Sequence, residues 1–505
     1  MGKLLASLSD MTVEAVEAFK KAAATPMPDE ISKAITQTTG LVAYDLQAPA
    51  KQLFPVLTPL RNRIPRVGGN GGTATNWIAV TGINTAALRG FVPEGKRNGL
   101  VTTAVTPKSA SYKSLGLEDS VTFEANLAGK GFEDVRATTA QRLLWATMIE
   151  EELAILGANN TVVLGTPTAP TVTVEATDGL IPDDAGGYNV RVVALTLAGY
   201  LASSVSLTGV VGLVTVVNAA GNTFYYEGGS SQKSAATATG AVSGANTNVI
   251  KASTPVVAGA VAYAWYVGAH DGNCVLQAIT TLNSVKLTSL LSGTQNVTAI
   301  TADNSKNTYA YDGILYQAWT TGSNAYIANQ ATGVEGTGTP LTADGAGGIT
   351  EIDTMLESLW NNYKLGPSTI YVNAQEAKNI TKKVLGSASG STGATYSINV
   401  NPGQEINAGS VVVSYLNKFA MGGRQSIPIE IHPYLPPGLL LAVTEQLPYP
   451  VTGIPNVMEM KLRQDYYQVE WPQRERQYES GVYCDGVLAH YFPPSMGIIA
   501  NIGNG

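Results

Sequence analysis

Charge is scarce in this chain. Asp, Glu, Lys and Arg make up 14% of its 505 residues, against about 25% in an ordinary globular protein. What charge there is leans acidic, with a formal net value of -7. That argues against a nucleic-acid reader, which would show a basic face or tail. Cysteine is nearly missing: Cys274 and Cys484 supply neither a disulfide framework nor a Cys-rich zinc site. His270, His432 and His490 are the histidines, and none has the spacing of a metal motif. "HDGNC" around His270 reads as an Asp-, Gly- and Asn-rich turn. No run of about 18 apolar residues occurs, so no membrane helix is expected. The apolar run before Ser7 is too short for a signal-peptide core, which implies a soluble protein made in the cytoplasm.

Catalytic motifs are missing in the same way. Gly90, Gly95 and Lys96 in "GFVPEGKR" imitate the start of a phosphate-binding loop. Arg97, however, stands where Ser or Thr would hold magnesium, and Glu94 would face the phosphates. No Gly-x-Ser-x-Gly elbow appears. "DNSKNTYAYDG" offers Asp303, Ser305 and Asn307, but lacks the sixth-position glycine and final glutamate of a calcium loop. No catalytic residue, cofactor or metal is expected.

Apolar residues, at 44%, suffice for sizeable cores, and 53 glycines suit β-structure with many turns. The length allows about three or four domains at roughly 150 residues each. Residues 11–24 predict a small amphipathic helix. From Leu41 to Val67 several prolines accompany Arg61, Arg63 and Arg66, which reads as an extended arm poorly suited to burial within its own domain. Residues 68–115 predict a long hairpin whose charged tip carries Glu94, Lys96 and Arg97, with too little apolar material for its own core.

A long helix follows over residues 131–160. Its apolar stripe is Leu144, Trp145, Met148, Ile149, Leu153 and Leu156, interrupted by Glu150, Glu151 and Glu152, with Gly157 as the stop. Residues 165–294 then form a separate block of short strands at sandwich spacing, where Tyr263, Trp265 and Val267 set one face inward. The block resembles a fibronectin type III or immunoglobulin-like domain. A second helix carries the stripe Ile352, Met355, Leu356, Leu359 and Trp360. Strand, helix, a Gly- and Ser-rich loop over 386–404 and two further strands come after it. Near the C-terminus Arg474, Glu475, Arg476 and Glu479 stand among tyrosines. An antiparallel strand pair with solvated ion pairs and a protein-binding surface both fit that stretch.

Taken in order, these segments resemble the major capsid protein of tailed bacteriophages, with the Hong Kong 97 capsid fold. The resemblance implies an α+β architecture of N-arm, E-loop, spine helix, P-domain and A-domain, with an all-β immunoglobulin-like sandwich inserted. The N-arm would cover 1–67, the E-loop 68–115, the spine helix and first part of the P-domain 116–164, the insertion 165–294, and the rest 295–505. It implies an icosahedral shell of hexamers and pentamers around double-stranded DNA that it does not bind sequence-specifically. Partners would be further copies of the chain, scaffolding protein and portal, with a decoration protein as a further candidate and no membrane. Assembly would occur in the host cytoplasm and the product would be the virion. Arg61, Arg63, Arg66, Glu94, Lys96, Arg97, Arg474, Glu475 and Arg476 are the expected inter-subunit contacts. A tail-tube or adhesin-like protein shares the composition but does not need the strut helix. A secreted glycoside hydrolase with a fibronectin-like module would call for a signal peptide.

Overall fold

The computed structural model describes residues 55–69, 71–82, 90–98, 103–130, 134–218, 220–269, 273–386, 412–420, 425–449 and 455–504. The helix expected at 11–24, most of the arm, His270, and the loop after Gly386 as far as residue 411 lie outside the described residues.

Residues 55–68 are not an extended, unburied arm. Pro59 opens a short helix, α1 (Pro59–Arg63), at a position where its missing N–H has no helical partner to lose. Leu60 and Ile64, four residues apart, are buried at 1% and 6% exposure. Here the prolines punctuate a turn instead of stretching the chain. Strand β1 (Arg66–Gly68) follows.

The expected hairpin forms: β2 (Ala74–Gly82) and β3 (Ala104–Ser111) pair antiparallel from Ala74↔Ser111 to Gly82↔Ala104. It lies along the frame on one side. Trp77 donates its indole N–H to the His490 carbonyl at 3.0 Å, and Val80 donates to Tyr491 at 2.8 Å. The other side leaves Ile78 and Val105 exposed. Next come β4 (Lys113–Thr122), α2 (Phe123–Gly129) and the long helix α3 (Val135–Gly157).

Helix α3 buries a different face from the one its apolar residues suggest. Of the expected stripe only Leu156 is fully buried. The buried row is Thr139, Leu143, Thr147, Glu151 and Ile155, at strict four-residue steps, with Glu152 beside it. The physical reason is polar: partners from distant segments meet those carboxylates inside the fold. Gly157 ends the helix, yet for a reason other than a left-handed cap. A Cβ there would overlap the side chain of Leu197. Gly157→Ala is therefore expected to cost about 1–3 kcal/mol by overpacking, read as a lowered denaturation midpoint. An unchanged midpoint would show that Leu197 swings aside freely.

The β-rich block holds β5 (Thr171–Glu175), β6 (Tyr188–Leu195), helix α4 (Leu197–Ala202), β7 (Leu213–Val217), β8 (Thr223–Glu227) and β9 (Thr237–Ala238). It continues with β10 (Val249–Ser253), β11 (Ala262–Ala269), β12 (Val275–Thr280) and β13 (Ser284–Leu287). Two sheets, β13-β10-β5 and β12-β11-β6-β9, enclose Ile250, Val285, Val192, Tyr263 and Trp265. Sequence alternation in β11 pointed to one buried face, but both are buried. Ala264 and Tyr266 join Val193, Leu276, Val297 and Ile300 in a second apolar layer. The block's packing thus runs to Ile300. Among the described residues, strands β7 and β8 pair only with each other.

The chain's two crossings into and out of the block are stitched together. Asn159 donates to Val162 and Ser305 carbonyls, both at 2.7 Å. Leu164 N–H reaches Ser305 Oγ at 3.1 Å, and Gly165 N–H reaches Asp303 Oδ2 at 2.6 Å. Asp312 Oδ1 accepts from Asn160 and Thr161 amides. Asp303 and Ser305, two of the residues that imitated a calcium loop, are used here.

Beyond the block lie α5 (Ile314–Trp319), β14 (Tyr326–Asn329), α6 (Thr350–Tyr363), β15 (Thr369–Val372) and α7 (Ala374–Gly386). Then come β16 (Ser414–Asn417), β17 (Gln425–Ile431), β18 (Leu440–Val443), β19 (Met458–Glu470), β20 (Gln477–His490) and β21 (Gly497–Ala500). One mixed sheet runs β14-β21-β18-β15-β17-β16, and a second runs β1-β19-β20-β4. Helix α6 buries Ile352, Met355, Leu356 and Leu359 as its periodicity predicts, while Trp360, the fifth residue of the expected stripe, is only half-buried. The main core joins these to Leu60, Ile155, Ile370 and Ile498, and takes in Leu197 and Val261 from the block.

Candidate functional site

Glu151 and Glu152 point to different partners because successive helical residues are turned by about 100°. Glu151 is the hub for arginines. Arg61 Nε lies 2.9 Å from its Oε2 and Arg66 Nη1 lies 2.6 Å from its Oε1. The Tyr466 hydroxyl donates to the same carboxylate. Both guanidinium groups stack over the Tyr466 ring, at 5.1 and 5.0 Å from its centroid, adding a cation–π contribution. Burial works against the Arg66 charge, but the hydrogen bonds and fields of Asp465 and Glu151 outweigh it and raise its pKa above the ordinary arginine value.

Glu152 holds the same segment by its backbone. Its oxygens accept from the Leu60 amide at 2.9 Å and the Arg61 amide at 2.7 Å. These are first-turn amides of α1, whose own N-cap residue Thr58 makes no side-chain cap. A carboxylate from another helix therefore satisfies orphan donors that a capping residue normally serves. His432, fully buried, completes the group with Nε2 2.7 Å from Glu152 Oε1. Its Nδ1 accepts from the Tyr434 amide at 3.2 Å, which leaves the proton on Nε2 to donate.

Arg63 turns the other way. It donates to Thr369 Oγ1 at 2.6 Å, pairs with Glu430, and reaches Glu445 at 3.4 Å. Residues 59–66 thus tie helix α3, strand β19 and the mixed sheet together. The arrangement is a clamp made of buried charge.

The structure places Arg61, Arg63 and Arg66 on partners within the chain, and brings Arg61 and Arg66 together on Glu151. Glu94, Lys96 and Arg97 sit apart in an exposed turn, where Lys96 N–H reaches the Pro93 carbonyl at 3.1 Å. Arg474, Glu475 and Arg476 form the exposed turn between β19 and β20, and Arg476 pairs with Glu124 at 2.8 Å. Sequence reading missed Glu151, Glu152, His432 and Tyr466. The available signal was the Glu triplet inside an otherwise apolar helix, treated as an interruption when it marked the contact.

Other candidate chemistry is quiet. Among the described residues no group of three or more His, Cys, Asp or Glu could hold a metal. Burial pushes His490 down to about 3. Burial, with Glu151 adding to it, pushes the Cys484 thiol up to about 12. Cys274 is buried and raised for the same first cause. Both native thiols should resist alkylation at pH 8 and react fully only in denaturant. Rapid labelling of the folded chain would contradict that burial.

No protein-family model matches the chain, and no curated protein matches it. The solved structures it resembles include phage capsids and an encapsulin. The Cyanophage A-1(L) capsid asymmetric unit is 12% identical with a TM-score of 0.42, covering 94% of this chain and 99% of that one. The capsid of the native GTA particle is 8% identical with a TM-score of 0.40, covering 95% and 100%. The holo-SrpI encapsulin complex from Synechococcus elongatus PCC 7942 is 9% identical with a TM-score of 0.35, covering 95% and 97%. At these values the likeness does not assign a family.

Proposed function

We propose that the chain is the shell subunit of a tailed-phage head, with a Hong Kong 97-like frame and an immunoglobulin-like insertion that begins near residue 165 and whose packing runs to Ile300. In this reading it assembles with itself into hexamers and pentamers around double-stranded DNA, helped by scaffolding protein and portal. It is a structural protein without catalytic activity. The segment before α1, the hairpin over 68–115 and the helix within 116–164 take the places of N-arm, E-loop and spine.

The observation that carries the reading is the β2–β3 hairpin. It has no core of its own, leaves Ile78, Val105 and Phe91 exposed, and ends in a charged tip. An element of that kind gains burial from a neighbouring copy, so its order is coupled to assembly. A mildly acidic subunit also leaves enclosed DNA unbound over most of its length. Electron microscopy of the purified protein, with its scaffolding partner if one is needed, tests the proposal. Closed shells with pentamers and hexamers are expected; monomers or tubes alone would sink it.

A further inference from the structure

A pocket of about 430 Å³ lies where the inserted block meets helix α3. Leu153 and Ala154 of α3, Leu197 and Leu201 of α4, and Leu115 of β4 give it apolar walls. Asn159, Ser305 and Asn307, from the stitched crossing, complete part of the lining. Its size falls within the range of about 300–1,000 Å³ that suits a small molecule.

Two carboxylates stand against these walls, Glu150 from α3 and Glu227 from the end of β8. Among the described residues no Lys or Arg lines the pocket, and the buried Glu227 Oε2 has no hydrogen-bond partner. Glu150 reaches water, yet the protein around it desolvates its carboxylate and raises its pKa. A carboxylate oxygen withdrawn from water without a donor is costly, and a positively charged N–H group is its strongest complement. A calcium ion matches poorly, because it takes six to eight oxygen ligands and walls of leucine and alanine supply none. A primary ammonium on a hydrocarbon stem matches both features. Its three N–H donors can serve two carboxylates, and its methylenes suit the apolar walls.

We infer that this pocket binds a small alkylammonium ion. Glu227 and Glu150 accept hydrogen bonds from its nitrogen, and Leu153 and Leu201 cover its stem. The bound ion links β8 to α3. Since the β7–β8 ribbon pairs only with itself among the described residues, that link ties a loosely held part of the block to the frame. The site lies within one chain, so the inference stands apart from the shell reading.

Titration calorimetry on the full, unassembled chain tests it, with hexylammonium chloride as the probe and hexanol and sodium hexanoate as controls. Saturable binding of one hexylammonium per chain is expected, with both controls at least about tenfold weaker. Glu227→Gln should weaken the probe about tenfold or more, the loss of one charged hydrogen bond. Glu150→Gln should weaken it less, because that carboxylate keeps contact with water. Backbone amides of Leu213–Glu227 should exchange hydrogen more slowly with the probe present, and this slowing should vanish in Glu227→Gln. Absence of saturable binding would overturn the inference. Hexanol binding as tightly as the amine would reduce the pocket to an apolar cavity, and an affinity unchanged in both Gln variants would move the amine elsewhere. Calcium chloride that binds saturably and displaces the probe would assign the carboxylates to a metal instead. Each of these outcomes overturns the inference and leaves the shell reading untouched, since none depends on particle formation.

Discussion

A chain carrying Glu151→Ala is expected to unfold far more readily than the wild type, by about 3–5 kcal/mol. Glu151 is 1% exposed, and the side chains of Arg61 and Arg66 are 15% and 19% exposed. Removing the carboxylate leaves two guanidinium groups in a site too dry to hydrate them well. A loss of that size is a large part of the roughly 5–15 kcal/mol that holds a domain folded. Denaturant melts of the unassembled chain would read it. Glu475→Ala, in the exposed turn between β19 and β20, should change stability by no more than about 0.5 kcal/mol. The cost belongs to the unpaired charges, so Glu151→Leu with Arg61→Met and Arg66→Met should recover much of it. If Glu151→Ala alone melts like the wild type, the clamp is not a stabilising element.

The second large effect concerns the block. Joining Leu164 to Ser292 strips cover from Val297 and Ile300 and is expected to yield insoluble protein. Joining Gly165 to Asp303 through a short Gly/Ser linker respects the stitched crossing, where those residues are already bonded at 2.6 Å. That cut still removes Leu197 and Val261 from the main core. It also strands the Tyr316 hydroxyl, which pairs with the Leu197 amide and the Gly259 carbonyl. Two lost apolar side chains cost about 1.5–3 kcal/mol each, and the orphaned hydroxyl about 1–3 kcal/mol. Adding Tyr316→Phe removes the last of these. The expected result is a soluble, cooperatively melting frame from the Gly165–Asp303 junction with Tyr316→Phe, at reduced stability. Aggregation of that variant would show that block and frame fold only together.

The two long helices mark what the sequence can and cannot convey. Helix α6 meets apolar neighbours, so all of its apolar stripe but the half-buried Trp360 is its buried stripe. Helix α3 meets arginines from 85 and 90 residues away, and its buried face is therefore polar in the middle. Periodicity assumes that burial follows hydrophobicity, and that assumption fails wherever charge is paired inside. The β2–β3 pairing was legible because turn residues and β-prone runs are local. The clamp was not, because its parts come from α1, α3, β19 and the segment around His432, and only the fold brings them together.

The strand order of the mixed sheet bears on synthesis. Strand β21 lies between β14 and β18, in the interior of that sheet, and β1 pairs in parallel with β19, from Arg66↔Met460 to Gly68↔Leu462. On the ribosome, the segment that emerges early must wait for residues near 460 before β1 finds its partner. The mixed sheet must wait for residues near 500. Nascent chains therefore carry open sheet edges until residues near 500 have emerged. Pairings this distant in sequence are slow to form, and exposed edges in that interval invite association between unfinished chains. Slowing elongation before residues near 460 to 500 emerge should then lower the soluble yield, whereas a chaperone that shields strand edges should raise it.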